Sequence, residues 1–278
     1  MIKYSIIIFL LLFIGFNTFI YLKKKEFNSV QYQHQENVIS IQHFLYNKNP
    51  LKGIIIGTSL SAKLSVDSMD GVYSLSMAGL SVLDGLHILF LKNDIPPVVF
   101  IETNYFFKPE STDFTSQFDS KASNYIKAVL PALQDENQPA GIVKHYLRKP
   151  EQKTAAPLND QALSDDVFVK LLKMQQETYR HPDTALIRKS LHSLQVYVQE
   201  IQKRGNRVCF FEMPVHPSLD TLVLSEMVRK DITDKFPDNP YIKNPSGIVY
   251  NTTDGIHLDK VSIWLYSRYF RQVADSIF

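Results

Sequence analysis

The densest apolar run of the chain is residues 4–22 (YSIIIFLLLFIGFNTFIYL). It carries no charge over about 19 residues, close to the roughly 20 that an α-helix needs to cross the hydrocarbon core of a bilayer. It ends in bulky Phe19, Ile20, Tyr21 and Leu22 and then Lys23, Lys24 and Lys25, without the small residues of a cleavage site. No face of the run is polar enough to meet water. The pattern predicts an uncleaved membrane anchor over residues 1–25, followed over 26–50 by a polar linker with a short helix.

From residue 51 onward, short apolar runs alternate with helical stretches, the mark of a parallel sheet. Gly53–Gly57 (GIIIG) is an unbroken apolar run of the kind expected for a strand covered on both faces. Further strands are expected at Val72–Ser76, Val98–Glu102, 207–213 (RVCFFEM) and 247–250. Helical spacing recurs over 82–92 (Leu83, Leu86, Leu89, Phe90) and over 184–204 (Ile187, Leu191, Leu194, Val198, Ile201). Asp183 is placed to cap the second of these and Gly205 to end it. A last helix is expected over 259–277, carrying Ile263, Tyr266, Phe270, Val273 and Ile277. Residues 51–278 therefore read as one α/β domain with a five-stranded parallel sheet. It is interrupted by an insertion at 108–182, polar at first and helical over about 165–179, of the sort that covers or shapes a ligand crevice.

Composition narrows the function classes. The 278 residues include 30 Lys+Arg against 28 Asp+Glu, a net charge of +2 that excludes a strongly basic nucleic-acid-binding protein. With 45% hydrophobic and 21% charged residues the chain is no disordered polymer. The single Cys209 can form no internal disulfide and lies within an expected strand, unsuited to be a nucleophile. His87, His145, His181 and His192 lack metal-ligand spacing, so no metal site and no cofactor is implied. Lys3 on one side of the anchor against Lys23, Lys24 and Lys25 on the other favours a cytoplasmic body on charge alone.

In an open parallel sheet the ligand site lies beyond the C-terminal ends of the strands. Reactive side chains fall there four times: Ser59 on an expected strand-to-helix turn, Ser76-Met77-Ala78-Gly79, Thr103-Asn104, and Asp254-Gly255-Ile256-His257. A nucleophilic serine needs a base, a carboxylate to hold that base, and donors for an oxyanion. Taken in order, Gly57-Thr58-Ser59-Leu60-Ser61, Gly79, Asn104 and Asp254-Gly255-Ile256-His257 resemble the four marker blocks of the SGNH hydrolases, the GDSL esterase and lipase family, over about residues 53–278. The resemblance implies a flavodoxin-like three-layer α/β/α sandwich, with Ser59 as nucleophile, His257 as general base and Asp254 as its orienting carboxylate. The Ser59 amide, Gly79 and Asn104 would form the oxyanion hole.

Two positions depart from the family pattern. Thr58 replaces the aspartate that usually precedes the serine, and the third block reads Glu102-Thr103-Asn104-Tyr105. Glu102 either faces the site, where its charge would oppose an oxyanion, or pairs with a lysine or caps a loop. Tyr105 and His216 lie on the functional edge as substrate-binding candidates. Phe106 and Phe107 either line an acyl pocket or pack in the core. The anchor makes the chain similar to bacterial envelope enzymes that add or remove acetyl or similar groups on glycans. That analogy implies a bilayer and an acylated carbohydrate as partners and an extracytoplasmic domain, against the lysine count. The competing reading is a catalytically silent SGNH-like domain that binds a glycan or a membrane protein partner. A nucleotide-binding protein fits less well, because the loop after the first strand has neither the glycines nor the lysine of a phosphate loop.

Overall fold

A computed structural model of the chain describes residues 2–22, 32–66, 69–147 and 164–278, with 144–147 as backbone only. The three lysines Lys23, Lys24 and Lys25, the start of the expected linker, residues 148–163 of the expected insertion and the His145 side chain lie outside the described residues. The chain divides into two compact units, one of residues 1–48 with 116–154 and the other of 49–115 with 155–278.

The second unit is an α/β sheet domain. Its strands are β1 Gly53–Gly57, β2 Val72–Ser76, β3 Val98–Glu102, β4 Arg207–Phe211 and β5 Tyr241–Ile242. They lie in the order β2-β1-β3-β4-β5 and every pair is parallel, the doubly wound arrangement in which ligands bind where the strand order reverses. Strand side chains alternate between two covered faces. Ile55, Val98, Phe100, Cys209 and Phe211 pack under the last helix, Lys260–Asp275, through Tyr266, Phe270 and Ala274. On the other face, Gly85 of the helix Val82–Leu91 comes so near the sheet that an added Cβ would lie 2.7 Å from Ile56 Cγ2. The helix Thr184–Lys203 packs on β4, burying Ile187, Leu194, Val198 and Ile201; Asp183 caps it by accepting from Leu186 N at 3.0 Å.

The structure differs from the sequence reading in three places. The fifth strand is Tyr241–Ile242 and not 247–250. Pro240 and Pro245 bracket the pairing to two residues, Gly247 turns the chain at φ +80°, and Ile248 and Val249 are exposed. The helix Val223–Lys235 escaped the sequence reading because its outer face is densely charged; Leu224, Val228 and Ile232 are its buried stripe. The expected insertion is also split. Residues 116–147 group with the N-terminal segment, whereas Asp165–Arg180 is a helix of the sheet unit.

The first unit is helical. Its Ile2–Leu22 helix has 21 residues and is long and apolar enough to cross a membrane. The helix Gln33–Tyr46, part of the expected linker, buries Val38, Ile41 and Phe44. Ser116–Phe118, Lys121–Val129, the turns Pro131–Leu133 and Asp135–Asn137, and Pro139–Leu147 follow among the described residues of this unit.

Phe270 sits at the centre of the sheet core, 1% exposed, with ring centroids 5.5 Å from Phe100 and 5.0 Å from Phe211 in edge-on contacts. Phe270→Ala is expected to lower the unfolding free energy by about 3–5 kcal/mol in chemical denaturation, the range for emptying a large aromatic site.

Candidate active site

β1 ends at Gly57, where the chain folds back over the neighbouring strand ends. A Cβ at Gly57 would lie 1.9 Å from Ser61 Oγ, 2.8 Å from Glu102 Oε2 and 2.9 Å from Ser76 Oγ, so the fold-back requires glycine. The next residues do not form the expected helix. Ala62 N donates to Thr58 O at 3.1 Å and Leu64 N to Ser61 O at 3.0 Å, two turns in succession. The N–H groups that would open a helix are taken by a side chain. Glu102, fully buried at the end of β3, accepts from Thr58 N at 2.9 Å, Thr58 Oγ1 at 2.7 Å, Ser61 Oγ at 2.6 Å and Ser61 N at 3.3 Å. Burial pushes the Glu102 carboxyl above the ordinary range, and the hydrogen bonds from Ser61 and Thr58 oppose that rise without cancelling it. Of the two roles open to Glu102 in the sequence, the structure shows loop capping, and the loop is the one that presents Ser59.

The other half of the site comes from the loop before the last helix. Thr252 and Leu258 form an antiparallel bridge, Thr253 N donates to His257 O at 2.8 Å, and Gly255 makes the reversal at φ +98°. Inside this loop Asp254 Oδ1 accepts from Ile256 N at 3.1 Å and His257 N at 2.8 Å, which leaves Oδ2 to pair with His257 Nδ1 at 2.7 Å. His257 Nε2 lies 2.9 Å from Ser59 Oγ. With the carboxylate on Nδ1–H, the tautomer that satisfies both contacts has Nε2 accepting from the serine hydroxyl. Burial works against ionising Asp254, but hydrogen bonds and charge from His257 and the Ile256 N–H outweigh it and hold the carboxyl below its usual value. The Asp254 and His257 side chains are 22% and 29% exposed and Ser59 is half-buried, so the chain of three is open to a ligand.

The other sequence candidates divide. Gly79 has a left-handed backbone (φ +81°), and its carbonyl accepts from Lys108 Nζ. Among the described residues no acceptor meets the N–H of Ser59 or of Gly79. Asn104 donates from Nδ2 to Met213 O at 2.8 Å and accepts Met213 N on Oδ1 at 2.7 Å. It thereby prolongs the β3–β4 ladder with its side chain, leaving one amide hydrogen free for a ligand. The His216 ring caps the short helix Pro217–Asp220 by accepting from Ser218 N at 3.2 Å, and the His216 main-chain N–H donates to Gly255 O at 2.8 Å, bracing the Asp254 loop. Burial lowers its pKa, which favours the neutral ring. Tyr105 packs edge-on to Tyr179, ring centroids 6.3 Å apart, its hydroxyl pushed up to about 12 by burial; Phe106 is core. Cys209 is buried and its thiol is pushed up to about 12 by that burial, which keeps it protonated. Among the described residues no group of three or more His, Cys, Asp or Glu side chains is arranged to hold a metal ion.

Sequence reading missed the cooperation of Thr58, Ser61 and Glu102. Its only signal was the pair of hydroxyl residues flanking Ser59 and a carboxylate at the end of the adjacent strand. No family model matches this chain, and no curated protein matches it.

Glu102 offers a two-sided test. Glu102→Ala leaves the Thr58 and Ser61 donors buried without an acceptor and is expected to cost about 2–4 kcal/mol of stability, at about 1–3 kcal/mol per unsatisfied group. Glu102→Gln keeps an oxygen for Thr58 N and Ser61 and can donate to Thr58 Oγ1, so it is expected to stay folded. Because the folded-state pKa of Glu102 is raised, its contribution is present below the ordinary carboxyl range and is lost as pH rises through the elevated value. Denaturation across acid and neutral pH should show that slope in the wild type and its removal in Glu102→Gln.

Proposed function

We propose that this chain is a membrane-anchored serine esterase or O-acyltransferase of the SGNH type, acting through an acyl-enzyme on acylated, most simply acetylated, envelope glycans. The observation that carries the reading is the hydrogen-bonded series Ser59 Oγ, His257 Nε2, His257 Nδ1 and Asp254 Oδ2, with links of 2.9 and 2.7 Å. Such a series raises the nucleophilicity of a hydroxyl that is inert alone.

Ser59 Oγ attacks the ester carbonyl carbon while its proton passes to His257 Nε2. Asp254, kept ionised by its bonds to His257 and Ile256, stabilises the imidazolium and fixes its orientation. The N–H groups of Ser59 and Gly79, with the remaining Asn104 amide hydrogen, are the donors offered to the oxyanion. Collapse breaks the bond to the alcohol, which takes the proton from Nε2 and departs, leaving the acyl group on Ser59. Water or a sugar hydroxyl then gives its proton to Nε2 and attacks the acyl carbon; the bond to Ser59 Oγ breaks and Oγ takes that proton back from Nε2, restoring the starting state. Hydrolysis and transfer differ only in this second nucleophile. The near-neutral charge of the chain suits an uncharged acylated sugar, and the anchor suits a substrate built at the envelope, with the sheet unit facing outward.

One observation favours a silent binding module instead: the Asn104 carboxamide is already engaged by Met213. The two readings separate on reactivity. The detergent-solubilised chain is expected to be labelled by a fluorophosphonate at Ser59 and to release acetate from an activated ester. Ser59→Ala should abolish labelling and lower the turnover rate by roughly 10³-fold or more, with Asp254→Asn also severely impaired. An unlabelled wild type, or unchanged turnover in Ser59→Ala, removes the catalytic reading.

A further inference from the structure

The helix Lys121–Val129 is built the wrong way round for water. Tyr125, Ile126 and Val129 are exposed, as is Leu133 just beyond, while Ser123, Asn124 and Lys127 are turned inward and the helix buries no residue fully. The inward groups have defined partners. Lys127 Nζ lies 3.3 Å from Asp135 Oδ2, and Asn124 Nδ2 donates to Phe118 O at 2.6 Å. Gln42 of the helix Gln33–Tyr46 holds Asp135 through both its N–H and its carboxylate, at 2.9 and 2.5 Å. A helix facing water keeps its charged and polar residues outside. Here they are spent on the protein and the apolar side is presented.

The adjoining turn fixes the depth of this surface. On the Ile2–Leu22 helix, Phe13, Phe16, Asn17 and Ile20 form a stripe at helical spacing that is half-buried or buried, although the helix is otherwise exposed, and the helix packs against Pro131–Leu133. Asn17 Oδ1 accepts from Ala132 N at 3.2 Å. Asn17 lies about 7–8 Å along the axis from Leu22 at 1.5 Å per residue. That matches the roughly 5–10 Å to which interfacial helices sink their apolar faces. The backbone of the turn is equipped for such a place, where every N–H must find a protein acceptor. Leu130 N donates to Ile126 O, Ala132 N to Asn17, Leu133 N to Leu130 O and Gln134 N to Pro131 O, and Pro131 has no N–H.

We propose that Tyr125, Ile126, Val129 and Leu133 form a lipid-contacting surface, seated in the headgroup and outer acyl zone beside the C-terminal end of the Ile2–Leu22 helix. The helical unit would then be held in the bilayer by an interfacial helix as well as by an anchor. The choice of lipid over a protein partner follows from the continuity of this face with the apolar anchor and from the satisfied backbone. The inference rests on the membrane reading of the Ile2–Leu22 helix, and the test separates the two.

Single cysteines are placed at Leu10 in the anchor, at Ile126 and Val129 on the proposed face, and at Lys189 on the exposed side of the sheet unit. Buried Cys209 stays in place, and the wild type serves as the labelling blank. Each full-length variant carries an environment-sensitive fluorophore and is reconstituted into phosphatidylcholine and phosphatidylglycerol vesicles with spin-labelled lipids. The expected result is blue-shifted emission at Ile126 and Val129, severalfold stronger quenching by shallow than by deep spin labels, and severalfold weaker iodide quenching than at Lys189. Iodide quenching at Val129 equal to that at Lys189, with Leu10 still quenched by lipid, overturns the interfacial surface and leaves the anchor standing. Protection from both iodide and lipid spin labels overturns it as well, since protein then covers the face. Loss of lipid quenching at Leu10 and Val129 together removes the anchor and the inference with it.

Discussion

Glu102 draws the turn after β1 onto the end of β3, and the geometry of the candidate site follows from that attachment. Its carboxyl gathers the Thr58 and Ser61 N–H groups and both hydroxyls; of the two residues between them Leu60 is buried in the core and Ser59 is the one left outward. Gly57 permits the close approach by having no Cβ to strike Ser61 Oγ or Glu102 Oε2. A helix N-terminus would present the same N–H groups to an anionic ligand. In this chain the buried Glu102 carboxyl already occupies them. Any oxyanion must therefore rely on the donors that remain, the Ser59 and Gly79 N–H groups and the second Asn104 hydrogen.

A side chain also stands in for backbone just beyond the end of β3. Beyond the last ladder bond of β3 and β4, Asn104 bonds both the N–H and the C=O of Met213, doing with a carboxamide what a strand residue does with its peptide. Beyond β4 the tie is backbone to backbone: the His216 main-chain N–H donates to Gly255 O and joins that segment to the loop holding Asp254 and His257. These bonds explain how Ser59 and His257, separated by 198 positions in sequence, come within 2.9 Å of each other. The parallel sheet brings strand ends to one edge, and the side chains of Glu102 and Asn104 together with the main-chain bond from His216 then fix the loops to within hydrogen-bond reach.

How much could be read from the residues depended on whether their partners were near in sequence. β1 and β3 announced themselves because a strand covered on both faces has no polar position to blur it. The Asp254-Gly255-Ile256-His257 segment was readable because its carboxylate and imidazole bond within one loop. β5 was not, because two paired residues between prolines leave no pattern, and the nearby apolar Ile248 and Val249 mimicked a strand while remaining exposed. The role of Glu102 was undecidable in the same way: its partners lie more than 40 positions upstream, and a buried carboxylate at a strand end reads equally as a site residue or a cap.

The helical unit shows the complementary limit. Periodicity reports that a helix has two faces, and it does not report which face meets the protein. Over Lys121–Val129 the apolar face is the outer one because the polar face has a stronger claim on the interior. From that side Lys127 reaches Asp135, which Gln42 and Gln138 also hold. A carboxylate and an ammonium that are partly withdrawn from water are held by each other and by their amide partners. The inward side of this helix is therefore marked by its polar contacts, Lys127 to Asp135 and Asn124 to Phe118, and its apolar residues are left on the outer side.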